Sequence, residues 1–164
     1  MGGVLCLFGT GAIALAALIM IRAYSAFIRR RVAEYTAFLG FLGLMNREIL
    51  CFLYTPAELA VKSNDALLEE IGFLGALRNG SGLADAFSAV LPRLHLSAAD
   101  ADFLALFFER FGQGTRESEL HSLDACIEHF SARTAAEEAG AADAIRLAST
   151  LFALVAIGLI ILLL

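Results

Sequence analysis

The residues best suited to chemistry stand near the C-terminal third of the chain: His121, Asp124, Glu128 and His129. His121, Asp124 and Glu128 fall at i, i+3 and i+7, which places them on one face of a helix. Imidazole and carboxylate on a shared face are the raw material of a metal site. The spacing argues against one. Zinc sites favour tight donor pairs, such as two histidines at i and i+4. His121 and His129 instead stand about two helical turns apart, so a solvated helix face is the better reading. His95 sits in a turn between apolar residues and means little alone. Asn79-Gly80-Ser81-Gly82 lacks the lysine and the strand that a phosphate-binding loop needs. Cys6, Cys51 and Cys126 are isolated in apolar patterns and read as reduced, buried thiols. No serine occupies a nucleophile elbow, and no pair of carboxylates lies in an obviously apolar setting. The sequence therefore implies no catalytic, cofactor-binding or metal residues. The expectation is a non-enzyme with no cofactor and no nucleic-acid partner.

The elements around these residues are dominated by apolar ends. All 12 Lys and Arg and all 17 Asp and Glu lie between Arg22 and Arg146. Apolar residues reach 59%, against about 45–50% in a soluble globule. Residues 2–21 and 147–164 are each long enough to cross a bilayer core of about 30 Å. The second run holds twelve Leu, Ile, Val or Phe residues. At insertion values of about −0.3 to −0.6 kcal/mol each, they contribute on the order of −4 to −7 kcal/mol. Ser149, Thr150 and Gly158 do not reverse that. A cleaved signal peptide is the alternative for the first run. It is disfavoured because no positive charge precedes the run, whereas Arg22, Arg29, Arg30 and Arg31 follow it. Those arginines, with Arg146 before the second run, favour a cytoplasmic central domain, 22–146, and both termini on the far side. They also suit anionic lipid headgroups.

The central domain reads as all-α, a membrane-anchored bundle of about five helices whose long first and last members each contain a span. Ile28, Val32, Tyr35, Leu39, Leu42, Ile49 and Phe52 continue the first span as a helix to about Leu53. Gly40 and Gly43 leave room there for a kink or a close helix contact. Thr55-Pro56-Ala57-Glu58 is a capping box with proline at the first helical position. Its helix runs to about Leu77. A short helix spans Leu83 to about Leu91, before Pro92. Ser97 and Asp100 start another, with Phe103, Leu106, Phe107 and Phe111 as its buried face, and Gly112-Gln113-Gly114 ends it. Thr115 then caps a final helix of about 50 residues, roughly 75 Å at 1.5 Å per residue. Its inner face is Leu120, Leu123, Ile127, Phe130 and Thr134. From Asp100 to Asp143 there are ten acids against Arg110, Arg116 and Arg133. Glu117, Glu119, Asp124 and Glu128 are the candidate face for a basic partner. A sensor or carrier subunit with a ligand between helices is the alternative function. It needs a polar group buried in a span, and both spans lack ionisable residues.

The order of these features resembles the stage III sporulation protein AB family. Leu44-Met45-Asn46-Arg47-Glu48-Ile49-Leu50 before Thr55-Pro56 is similar to the family's region ahead of its second helix. Gly82-Leu83-Ala84-Asp85-Ala86-Phe87 is similar to its short helix. Leu96-Ser97 with Asp100 and Asp102 precedes the Phe111-Gly112-Gln113-Gly114 turn, and Glu119-Leu120 leads into the last helix. Many members carry an aspartate shortly after that turn and a glutamine further on; here Arg116 and Glu119 occupy the area. The resemblance implies a protein of endospore-forming bacteria in the mother-cell membrane around the forespore. It implies a scaffold subunit of a channel-like, secretion-like complex between the two cells. The helical domain would be similar to that of the inner-membrane platform protein of type II secretion systems. Its implied partners are the bilayer, the other channel subunits and a secretion-type ATPase, with a homo-oligomer left open.

Overall fold

In the computed structural model, backbone is described for residues 2–51 and 55–163, and side chains within these ranges except 2–10, 14, 49–51 and 162–163. Every regular element among them is helical. The expected end of the first helix near Leu53, the side chains of Cys6, Cys51, Ile49 and Phe52, and Leu164 lie outside the described residues. The chain divides into two compact units. One comprises Met1–Arg30 and Glu137–Leu164, the other Arg31–Ala136.

Two long helices, α1 (Gly2–Cys51) and α7 (Arg116–Leu163), contribute to both units. Each is long and apolar enough to cross a membrane. Within the first unit most of their large apolar side chains point outward. Leu15 is 61% exposed, Leu154 61% and Ile161 67%. Ile13, Ala17, Ile21, Ser25 and Ile28 are the more covered positions on α1, at spacings of three or four. Such a pattern buries one stripe and leaves the rest of the circumference for an apolar solvent. Ser25, Ser149 and Thr150 return their hydroxyl donors to carbonyls three or four residues back, so none of these three hydroxyls is left unsatisfied.

The second unit is a small helical bundle. Between the long helices run α2 (Pro56–Lys62), α3 (Ala66–Glu70), α4 (Phe73–Arg78), α5 (Leu83–Val90) and α6 (Ala98–Arg110), with a 3-10 turn at Leu91–Arg93. Thr55 caps α2 with both arms of the capping box, its hydroxyl oxygen accepting from the Glu58 N–H and the Glu58 carboxylate accepting from the Thr55 N–H. That N–H, and the Thr55 hydroxyl, hold the Glu58 carboxyl below its ordinary value.

The single helix expected from Thr55 to Leu77 is three. Asp65 makes the first break: its carboxylate accepts from the N–H groups of Leu67 and Leu68, each at 2.9 Å, and starts a new helix. Gly72 makes the second, with φ +92°, a left-handed conformation that glycine adopts without steric cost. The breaks fold Leu59, Leu68, Phe73 and Leu77 onto α1 instead of letting them run away along one axis. The core is aromatic. Phe38 of α1 meets Phe73 and Phe87 edge-on, with centroids at 5.6 and 5.5 Å. Phe41 meets Phe73 at 5.2 Å, and Phe87 meets Phe108 at 5.4 Å.

The face expected to be buried on α6 is not the one that is. Phe103 is 39% and Leu106 44% exposed, and Phe107 and Phe111 are half-buried. Asp100, Ala101, Leu104 and Phe108 point inward instead. Six consecutive apolar residues, Phe103 to Phe108, wrap an arc wider than one neighbour can cover, so packing chooses part of it.

Gly40 and Gly43 sit inside unbroken helix, and a Cβ at either would meet nothing among the described residues within 4 Å. The sequence left room there for a close contact, and none forms among the described residues. Gly40→Ala is therefore expected to stabilise by about 0.5–1 kcal/mol. Gly72→Val is expected to destabilise by about 1–2 kcal/mol. Thermal unfolding followed by circular dichroism in detergent reads both; a loss of stability in Gly40→Ala would contradict the open helix face.

Candidate functional site

The polar residues of the second unit converge on two buried carboxylates. Asp100 is 3% exposed and Glu34 is fully buried. Asp100 lies in the first turn of α6, where Ser97 caps the helix and accepts from the Asp100 N–H at 3.2 Å. The carboxylate does not turn back to the Ser97 N–H, as in the usual reciprocal box. Tyr35 of α1 takes that place. Its hydroxyl oxygen accepts from the Ser97 N–H at 3.1 Å and its proton goes to Asp100 Oδ2 at 2.5 Å. Ser97 Oγ donates to the same oxygen at 2.5 Å. From α7, Arg133 Nε donates to Oδ2 at 3.0 Å and His129 Nε2 lies 2.9 Å from Oδ1. His129 and Arg133 stand four apart, on one helical face. Three helices thus meet on one carboxylate.

Burial alone would push the Asp100 carboxyl up. The donors from Ser97, Tyr35, His129 and Arg133 outweigh it and hold the group well below the ordinary carboxylate range. The magnitudes agree with that sign. Desolvating an ion costs several kcal/mol, while each hydrogen bond to a charged group returns about 1.5–3 kcal/mol. The second carboxylate, Glu34, accepts from the His95 N–H at 2.5 Å and pairs with His95 Nδ1 at 2.8 Å. It ties α1 to the segment just before Ser97.

These groups are unsuited to catalysis. Asp100 is held ionised, with donors on both oxygens. The Cys126 thiol is buried, and burial pushes it up to about 12, far from a reactive thiolate. The face weighed above as a metal site comes apart. His129 turns to Asp100, Asp124 accepts from Asn46 Nδ2 of α1 at 2.8 Å, and His121 and Glu128 are exposed. Among the described residues no group of three potential ligands is placed to hold a metal ion.

The other sequence-derived residues fall as follows. Thr115 Oγ1 accepts from the Ser118 N–H at 3.3 Å at the start of α7. Gly112 has φ +89° and ends α6. The Gly114 N–H donates to Glu119 at 2.7 Å. Glu119 therefore fills a role inside the turn, and Glu117 and Glu128 are the freely exposed members of the acidic face. Arg22, Arg29 and Arg146 are exposed, and Arg30 and Arg31 half-buried. Glu137, Glu138 and Asp143 share the first unit with Arg22, Arg29, Arg30 and Arg146, so that region carries mixed charge. Sequence reasoning took Asp100 for a cap only, Tyr35 for a member of an apolar stripe and Arg133 for a surface cation, set His95 aside, and passed over Glu34. One signal was present: Glu34 stands within the stripe Val32, Tyr35, Phe38 and Phe41, where a solvated carboxylate has no place.

The model of the family described as stage III sporulation protein AB matches residues 6–164. No curated protein and no solved structure matches the chain.

Because the folded-state carboxyl of Asp100 is depressed, its contribution is complete above the ordinary carboxylate range, near pH 4, and is lost as pH falls below it. The melting temperature should fall progressively as pH drops below about 4 and go on falling below about pH 3, and Asp100→Asn should flatten that fall. Asp100→Ala, which strands the Tyr35 hydroxyl in the core, should cost about 3 kcal/mol or more, and Tyr35→Phe about 1–2. Urea unfolding of the detergent-solubilised protein measures both. An acid limb unchanged in Asp100→Asn would remove Asp100 from its account.

Proposed function

The chain belongs to the stage III sporulation protein AB family, and from that premise we propose that it is a non-enzymatic scaffold in a sporulation membrane complex. The complex is a secretion-like channel between mother cell and forespore. The chain sits in the mother-cell membrane around the forespore. Residues 2–21 and 147–164 are its spans, residues 22–146 face the mother-cell cytoplasm, and both termini lie across the membrane. A secretion-type ATPase of the same apparatus meets the acidic surface that includes Glu117 and Glu128.

One observation carries this reading. The family match runs through both apolar helices as well as the bundle between them. Both helices carry outward apolar side chains within the first unit, and residues 147–163 hold no ionisable group. Lipid is the solvent such a surface fits, since each exposed leucine or isoleucine loses about 1.5–3 kcal/mol if kept in water. The bundle offers what a scaffold needs: an aromatic core, a register fixed by Asp100, and chemically quiet polar groups.

Removal of residues 147–164, or Gly114→Pro, is expected to abolish membrane assembly and heat-resistant spores. Proline removes the N–H that Glu119 holds and deforms the entry to α7. Spore counts and membrane fractionation read the result, and normal spores from either strain would sink the scaffold reading. The topology has its own check. Alkaline phosphatase fused after Leu164 should be active, because it would lie outside the cytoplasm; inactive fusions that report cytoplasmic placement would reverse it.

A further inference from the structure

The outward part of α6 and the first turns of α7 enclose an open groove of about 480 Å³. Phe103, Leu106 and Phe107 form one wall, with Ser122 and Ala125 of α7 among the small residues opposite. The wall is rigid. Phe103 stacks on His129, centroids 4.5 Å apart, and His129 is itself held by Asp100. Phe107 packs against both Phe108 and Phe111, at 5.5 and 5.3 Å. Large apolar side chains thus line a depression that no described residue of the second unit fills: Leu106 is 44% and Phe103 39% exposed.

We propose that this groove receives an amphipathic helix of a partner protein, one with lysine or arginine beside its apolar stripe. The inference rests on the reading of the chain as a subunit of a complex and adds the site and the chemistry of its occupant. Charge selects the occupant. Arg110 and Glu119 are the charged residues that line the groove, and Asp102 and Glu109 on α6, with Glu117 and Glu128 on α7, are exposed on the two helices that bound it, beside an exposed Arg116. Five acids against two arginines on these helices repel anionic lipid and steer a basic segment. A second copy fits poorly, because its own α6 and early α7 carry the same acids. The shape suits a helix: apolar anchors at i, i+3, i+4 and i+7 seat between two helices, and flanking cations meet Glu119 and the exposed acids farther round α6 and α7.

The test uses the full chain in sporulating cells. A photoreactive benzoylphenylalanine at position 106, or at exposed Ser88 as control, is irradiated, and the crosslinked peptide is sequenced. The expected product joins position 106, and not 88, to a segment of another protein with helical apolar spacing and excess Lys and Arg. Glu109→Lys with Glu117→Lys should cut its yield at least fivefold, and Leu106→Asp should lower heat-resistant spores at least tenfold with the melting temperature and membrane level unchanged. A product with a second copy, with lipid or with a segment lacking net positive charge overturns the proposal, as does the absence of any product at 106. Spore loss on deletion of the whole chain, with normal spores from Leu106→Asp and from the double charge variant, overturns the groove and leaves the complex reading intact. Normal spores after whole-chain deletion overturn both.

Discussion

The helical unit depends on a carboxylate that water hardly reaches. An ionised Asp100 at 3% exposure is tolerable only while its donors are in place. They come from α1, α6 and α7, so the three helices must hold one register for the ion to be satisfied. Sliding any of them by a residue turns its donor away, because neighbouring residues on a helix point about 100° apart. The aromatic core would accept many such shifts, since hydrophobic contact is not directional. The polar network supplies the direction. Glu34 and His95 fix a second point, and the two together orient the segment from His95 to Asp100 against α1.

The same ion explains why α6 is turned as it is. Asp100 must face α1 and α7, and the turn that achieves this carries Ala101, Leu104 and Phe108 inward with it. The remaining apolar residues, Phe103 and Leu106, are left on the outside. A carboxylate in the core thereby sets the character of the surface. Its partner His129 then props Phe103 from behind, so interior and surface share residues.

Most of what the sequence showed plainly is local. A capping box at Thr55 and Glu58, a serine cap at Ser97, a glycine turn at Gly112 and an uncharged run from Leu147 are each decided within a few residues. The fold class followed from them, as did the two long apolar helices. The helix expected from Thr55 to Leu77 broke at Asp65 and Gly72. Asp65 had the chemistry of a cap, but its neighbours kept helical spacing, and periodicity alone does not see a change of axis. The network was hidden for another reason. Tyr35 meets Asp100 across 65 positions and Glu34 meets His95 across 61, and no spacing rule reaches that far. The buried face of α6 failed for want of the same information: six apolar residues in a row fit several rotations, and only the partner of Asp100 selects one.

The distance along the chain between Tyr35 and its partners has a consequence for the order of events during synthesis. Tyr35 and Glu34 leave the ribosome early, while His129 and Arg133 are made about a hundred residues later. At about 5–20 residues per second, α1 waits on the order of 5–20 seconds for the last donors to Asp100. Until they arrive Asp100 stays solvated, because its shell is incomplete, whereas Glu34 waits only for His95. Closure of the bundle is therefore tied to translation of α7. Arg133 lies only a short stretch before the apolar run at Leu147, so the nascent chain completes its bundle and delivers its second apolar helix as nearly simultaneous steps.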